Sequence, residues 1–206
     1  MPVVNLPSQL VVAEDSWAAS DNRIIQRSAF TAAAREIVLG PASLWTCEAE
    51  IVARDVDELL PIRAFLAQMA QPDHWCLLTI AGIGQLANLP GIPNSCQVNG
   101  AGQLGTALNV DGLTPSVLNL RAGMGITVDL PGGKQQLFIL RADLVANGSG
   151  QATAQLSAPL RASPVDNAVV SMSQPFAQMR LMNPLRWANR RFRVGEIGRL
   201  MFEERS

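Results

Sequence analysis

The sequence contains no tyrosine, one lysine (Lys134) and one histidine among its 206 residues. No sign of charge dominates, because 16 basic and 17 acidic side chains leave a formal net charge of −1. A chain without excess positive charge has no general attraction to a phosphate backbone or to an anionic lipid surface. We therefore expect neither nucleic acid nor a membrane among its partners.

Long apolar runs are also missing. No run approaches the ~20 residues that cross a bilayer, and the opening residues, MPVVNLPSQLVVAEDSW, lack the basic segment and apolar core of a signal peptide. We expect the mature chain to begin here and to be made in the cytoplasm. With 48% hydrophobic residues it can nevertheless bury a sizeable core.

The sequence has few cysteines, and their spacing does not match that of metal ligands. Cys47, Cys76 and Cys96 are odd in number, far apart and free of any Cys-x-x-Cys pattern. Neither a disulfide framework nor a zinc site is indicated. We expect three buried thiols, no metal and no cofactor.

The clearest helical pattern covers residues 55–71, DVDELLPIRAFLAQMAQ. Its apolar residues recur at intervals of three and four, and Asp55 is placed to cap the first turn. Pro61 either kinks this helix or marks its first turn. The apolar positions are Val56, Leu59, Leu60, Ile62, Phe65, Leu66 and Met69.

Most other periodic segments alternate apolar and polar residues, which is typical of half-buried strands. A domain boundary is expected at residues 81–95, where Gly, Pro and Asn interrupt both the helical and the strand periodicity. The predicted strands are 22–30, 35–40, 43–53, 74–80, 96–100, 106–110, 117–121, 125–130, 135–145, 151–158, 168–172 and 176–182, with one or two more after Pro184.

These elements predict a mainly β fold, an α+β chain with one prominent helix. We expect a discontinuous β-sandwich or belt unit formed by residues 1–82 and 173–206, which contains the helix. Residues 96–172, with short strands and frequent turn signals, are expected to form an inserted small β-barrel-like domain.

Residues 142–170 alternate polar and apolar side chains between turn residues, but they contain no His, Cys or Glu. Their sequence is ADLVANGSGQATAQLSAPLRASPVDNAVV. Asn147 to Gly150 tolerate positive φ and predict a hairpin turn between the strands near 135–145 and 151–157. Asn147-Gly148-Ser149 also matches a glycosylation sequon, but the turn requires these residue types in any case.

A glycine motif at residues 100–105, GAGQLG, matches the dinucleotide fingerprint. That fingerprint needs a helix after its third glycine, to receive the pyrophosphate, and a surrounding βαβ unit. The next residues, TALNVDG, continue as a strand, so we interpret the glycines as a loop between strands.

Acid–base catalysis would most naturally use His74, the one histidine, with Asp73 as its partner. A lone His beside Trp75 at the start of a strand is more often structural. No Gly-x-Ser-x-Gly elbow supports a serine nucleophile. We therefore expect no catalytic residues and no enzyme activity.

The C-terminal segment combines arginines with aromatic residues. This composition is typical of subunit interfaces, although a solvated strand edge with ordinary ion pairs accounts for it equally well. The candidate interface residues are Arg186, Trp187, Arg190, Arg191, Arg193 and Arg199.

The order of segments from about residue 23 to 182 resembles the distal tail proteins and related baseplate hub components of long-tailed, siphophage-type bacteriophages. It departs from their pattern at Met124, where an Asp commonly follows the Ala-Gly pair. The segments that carry the resemblance are SLWTCEAEIV, AFLAQMAQP, HWCLLTI, QVNGAGQLGTALNVDGL, LRAGMGITV, QLFILRADLVANGSGQATAQLSAPLRASPVDNAVV and AQMRLM.

The resemblance implies a structural virion protein at the tail tip, which forms a homohexameric ring between the tail tube and the baseplate or tail fibres. The resemblance implies no catalytic residues. A second hypothesis is a module that binds host-surface carbohydrate. That module would need Trp45, Trp75 or Trp187 to be exposed, whereas Trp on an alternating strand is usually in the core.

Overall fold

A computed structural model describes residues 3–8, 11–19, 23–27, 34–38, 44–53, 56–80, 91–182 and 195–205. Over these residues the chain is mainly β with one helix, as its sequence pattern predicts. In chain order the elements are β1 (Val11–Ala19), β2 (Arg23–Arg27), β3 (Ala34–Val38), β4 (Trp45–Ala53), α1 (Val56–Met69), β5 (Cys76–Thr79), β6 (Ser95–Val98), β7 (Ala107–Asp111), β8 (Leu118–Leu120), β9 (Gly125–Leu130), β10 (Lys134–Ile139), β11 (Leu144–Val145), β12 (Ala152–Gln155), β13 (Val169–Ser171), β14 (Phe176–Leu181) and β15 (Gly195–Glu204).

A five-stranded antiparallel sheet, which we call the belt sheet, joins the two ends of the chain in the order β1-β4-β15-β14-β5. The C-terminal strand β15 lies between β4 and β14. Residues before β1 also pack here, because Val4 is buried and its N–H donates to the Trp75 carbonyl at 2.7 Å. Strands β2 and β3 form a separate antiparallel pair.

Helix α1 covers one face of the belt sheet. Its spacing of three and four brings Ile62, Phe65 and Leu66 into one cluster with Cys47 of β4 and Phe202 of β15. The helix begins at Val56, before Pro61, so the proline does not mark the first turn. The predicted cap, Asp55, lies outside the described residues.

A second, six-stranded sheet has the order β10-β9-β13-β6-β7-β12 and uses only strands between residues 95 and 171. Its two edge strands meet through a bridge between Leu140 and Leu156. The Ser157 N–H donates to the Ile139 carbonyl at 2.9 Å on one side of this bridge. The sheet is therefore curled into a partly closed barrel around its own apolar core. The domain boundaries drawn from the sequence stay a prediction.

The β9–β10 hairpin contributes to both cores, because successive strand residues point to opposite faces. Phe138 and Leu140 belong to the barrel core, whereas Leu137 and Ile139 pack with the belt-sheet cluster. Thr127 of β9 bonds the backbone of Phe176 twice: its Oγ1 donates to the carbonyl at 2.6 Å and accepts from the N–H at 2.7 Å. The hairpin thus attaches the barrel to the belt sheet.

Two predictions in this region are wrong. The strand predicted over 135–145 ends at Ile139, followed only by the isolated bridge at Leu140, and the next strand begins at Leu144. The Asn147–Gly150 segment does reverse the chain, since the Asn147 N–H donates to the Gln151 carbonyl at 2.8 Å. However, β11 pairs with β8 and β12 pairs with β7, so the turn does not join two partners of one hairpin. In a curled barrel these strands find their partners elsewhere in the chain.

Candidate subunit interface

The belt sheet has one covered face and one open face. Along β15, Leu200 and Phe202 are buried against the helix side, whereas Arg199 and Met201 alternate with them and are exposed. In β4, Cys47 and Ala49 are buried in the same way and Glu48 between them is exposed. We define the outer face by Glu48, Glu50, Arg180, Arg199, Met201 and Glu203.

Charges on the outer face alternate in sign between neighbouring strands. Arg199 of β15 lies opposite Glu50 of β4, with its Nε 3.8 Å from Glu50 Oε2. Arg180 of β14 lies opposite Glu203 of β15, and its Nε donates to Glu203 Oε2 at 3.1 Å. Exposed pairs of this kind contribute only about 0–1 kcal/mol to stability. The fold therefore gains little from this charge pattern.

An apolar side chain lies within this charged surface. Met201 is 47% exposed and pairs across the strands with Glu48, next to the Arg199–Glu50 pair. A small recess of about 40 Å³ is lined by Ser16, Glu48, Glu50 and Arg199. A methionine beside paired charges resembles the mixed composition of protein interfaces.

The predicted interface residues fall into two groups. Arg199 lies on the outer face, where its side chain is 65% exposed. The other five predicted residues lie outside the described part of the chain: Arg186, Trp187, Arg190, Arg191 and Arg193.

The residues considered for catalysis line a groove of about 680 Å³ between the end of α1 and β14. His74 is half-buried, and its Nδ1 lies 3.2 Å from the Pro72 carbonyl oxygen. Asp73 has a positive φ of 64°. No described carboxylate forms an ion pair with His74, so the structure gives no support for an acid–base pair.

The three cysteines are buried, as expected. Cys47, Cys76 and Cys96 are free and buried. Burial raises the pKa of each thiol to about 12, so all three are protonated at neutral pH. Among the described residues no group of three or more His, Cys, Asp or Glu side chains could hold a metal ion. In the same part of the chain, no helix has the length and apolar character needed to cross a bilayer.

The glycine motif at residues 100–105 forms the loop between β6 and β7, as predicted, and no helix follows it. The Gln103 side chain holds the loop from within: its Nε2 donates to the Asn99 and Gly100 carbonyls at 2.9 and 2.8 Å, and its Oε1 accepts from the Asn109 N–H at 2.6 Å. Gly100, for example, has a φ of 90°, which suits glycine.

The tryptophans described in the structure are half-buried and engaged by protein groups. Trp45 Nε1 donates to the Leu137 carbonyl at 2.9 Å, and the Arg205 guanidinium lies 5.2 Å from the centre of the Trp75 ring. One face of the Trp75 ring is therefore covered by Arg205. Trp187 lies outside the described residues.

Sequence reasoning missed a buried polar network between the two sheets. Glu204 accepts hydrogen bonds from the Trp45 N–H at 3.1 Å and the Leu137 N–H at 3.2 Å, and from Arg161 Nη2. Arg161 Nη1 donates to the Arg205 carbonyl at 2.9 Å. These groups are far apart in the chain, so no local pattern could have indicated them.

We compared the chain with known proteins. No protein-family model and no curated protein matches it.

Proposed function

We propose that this chain is a structural protein of a bacteriophage tail tip, and that it forms a ring joining the tail tube to the baseplate or tail fibres. The observation that carries the proposal is the open outer face of the belt sheet, with its exposed Met201 among charges of alternating sign. The resemblance of segment order to distal tail proteins supports the same assignment.

A ring needs two different surfaces on each subunit, which meet head to tail and close after a fixed number of copies. The outer face offers both signs of charge, with Glu48 and Glu50 beside Arg199. A neighbouring subunit with complementary charges would bury Met201 and fix the orientation of the contact. We propose a homohexamer, whose interface includes Arg199 and the C-terminal residues Arg186 to Arg193.

The proposed partners are further copies of this chain, the tail tube protein above the ring and the tail hub or fibre proteins below it. The proposed location is the virion, at the tail tip, after synthesis in the host cytoplasm. We assign the chain no enzymatic activity, no cofactor, no nucleic acid and no membrane partner.

A host-surface carbohydrate-binding module is the second candidate. The groove beside His74 and Trp75 favours it, because about 680 Å³ is within the usual range for small-ligand sites. Against it, the Arg205 guanidinium occupies one face of the Trp75 ring.

The experiment is the mass of the purified full-length protein in solution, by light scattering over a range of concentration and salt. We expect a species of about six subunits. Arg199→Glu, and separately the Arg190→Ala/Arg191→Ala pair, should shift the mass towards the monomer.

Arg141→Ala is the control, because Arg141 is exposed and is not among the residues that define the outer face. An unchanged mass for both interface variants would refute the interface. A monomer at every condition, together with retention on host glycans, would replace the ring with the carbohydrate-binding module.

A further inference from the structure

The chain contains two Asn-Gly pairs, Asn99-Gly100 and Asn147-Gly148. In such a pair the backbone nitrogen of the glycine can attack the side-chain amide carbon of the asparagine, because no Cβ on the following residue hinders the approach. The two pairs have the same covalent chemistry and differ only in their surroundings. Each is therefore a control for the other.

The side-chain amide oxygen of Asn147 accepts two backbone hydrogen bonds. The donors to this Oδ1 are the Ser149 N–H at 2.9 Å and the Gln151 N–H at 3.0 Å. Two backbone donors aimed at a carbonyl oxygen stabilise the negative charge that develops there when a nucleophile adds to the carbon. The side-chain amide of Asn99 receives no such hydrogen bonds in the described part of the structure.

The two nucleophiles also differ. The Gly100 N–H donates to Asp166 Oδ1 at 2.8 Å, and this charge-assisted bond fixes the peptide plane. No described group accepts a hydrogen bond from the Gly148 N–H. Asn147 and Gly148 are exposed, whereas Asn99 and Gly100 are half-buried. Water therefore reaches Asn147-Gly148 more readily than Asn99-Gly100.

We propose that Asn147 is a site of self-modification by intramolecular cyclisation, and that the fold protects Asn99 from the same reaction. The Gly148 nitrogen gives up its proton to solvent base and forms a bond to Cγ of Asn147. The bond from Cγ to the side-chain nitrogen then breaks and ammonia leaves, which produces a five-membered succinimide. One water molecule opens this ring at either carbonyl and gives aspartate or isoaspartate.

The two products affect the turn differently. Aspartate keeps the oxygens that accept from Ser149 and Gln151 and adds a negative charge. Isoaspartate inserts one extra carbon into the backbone, which displaces the Asn147 carbonyl from the Ser116 N–H that donates to it at 3.1 Å. The turn is also bonded to its neighbour through the Leu113 N–H and the Gly150 carbonyl at 3.1 Å. Ageing of the protein should therefore loosen this corner of the barrel.

The test is a time course of the folded, full-length protein in mildly alkaline buffer at physiological temperature. Cleavage after arginine separates the two sites, placing Asn147 in residues 142–161 and Asn99 in residues 64–121. Mass spectrometry then quantifies loss of ammonia and its later replacement by water in each peptide. We expect Asn147 to react about ten-fold faster than Asn99.

Two controls attribute the difference to structure. In denaturant both sites should react at nearly the same rate. Gly148→Ala should slow the reaction at Asn147 without loss of fold, because the added Cβ meets only Ser116 Oγ, at 4.0 Å. The proposal would be overturned if the two sites reacted at equal rates in the folded protein or if Asn99 reacted faster. It would also be overturned if unfolding left the ratio of the two rates unchanged.

Discussion

Arg161 Nη2 lies 2.5 Å from Glu204 Oε2, and this ion pair joins the barrel to the last strand of the belt sheet. The Glu204 side chain is fully buried and that of Arg161 is 14% exposed. The pair, together with the two backbone N–H groups that donate to Glu204, holds β15 against β10. It is one of several polar connections between the two sheets in the described residues, beside the hydrogen bonds of Thr127 to Phe176.

Removing one member of this pair should destabilise the protein strongly. Arg161→Met leaves the Glu204 carboxylate buried without its cation, and we expect a loss of about 3–5 kcal/mol in the free energy of unfolding. Denaturant unfolding followed by circular dichroism measures this loss. Arg141→Ala, at an exposed site, should change stability by less than about 0.5 kcal/mol.

The double variant Arg161→Met/Glu204→Gln should recover part of that loss, because it removes the uncompensated charge as well. If the two single changes were simply additive in the double variant, the ion pair would not be the interaction that connects the sheets.

The stability of the protein should depend on pH through Glu204. Burial raises the pKa of its carboxyl above the ordinary value, and the opposing effect of Arg161 is smaller. The folded state then holds the proton more tightly than the unfolded state. The free energy of unfolding therefore rises as the pH falls through the folded-state pKa, and this gain is complete below the ordinary pKa.

Glu204→Gln removes this titration and serves as the reference. As the pH falls through the folded-state pKa towards the ordinary value, the wild type should gain stability relative to the variant. Denaturant unfolding of both proteins at each pH gives the difference. A wild type that instead loses stability relative to Glu204→Gln on acidification would contradict the assigned direction.

Gly150 should tolerate no side chain. It has a φ of 74°, and a Cβ at this position would lie 2.6 Å from the Leu113 carbonyl oxygen. Gly150→Ala therefore combines backbone strain with a clash against backbone, and we expect a loss of about 3 kcal/mol or more. The measurement is the midpoint of denaturant unfolding.

Gly132→Ala provides the comparison, since Gly132 has a similar φ of 78° but nothing within 4 Å of the added Cβ. Gly132→Ala should lower the free energy of unfolding by only about 1–2 kcal/mol, which is the cost of a left-handed backbone conformation for alanine. Equal losses for the two variants would show that the contact with Leu113 is unimportant.

The parts of the fold that depend on local patterns were predictable. The spacing of Ile62, Phe65 and Leu66 indicates the helix. Strand β1 was missed, and its pairing with β4 shifts register between Val12 and Glu14.

The parts that depend on long-range contacts were not predictable. Glu204 appears in the sequence as one of two adjacent acids near the chain end. Its hydrogen-bond partners Trp45, Leu137 and Arg161 are 159, 67 and 43 residues away. The pattern places Arg199 in the predicted interface, but it could not indicate that Glu50 lies opposite it on the next strand.

Electron microscopy of the purified full-length protein tests the central claim, ring assembly, most directly. We predict class averages of a closed ring of about six subunits around an open axis, which Arg199→Glu disperses and Arg141→Ala leaves intact. Single subunits or open chains at every concentration, with no closed ring, would contradict the proposal that this chain forms the tail-tip ring by itself.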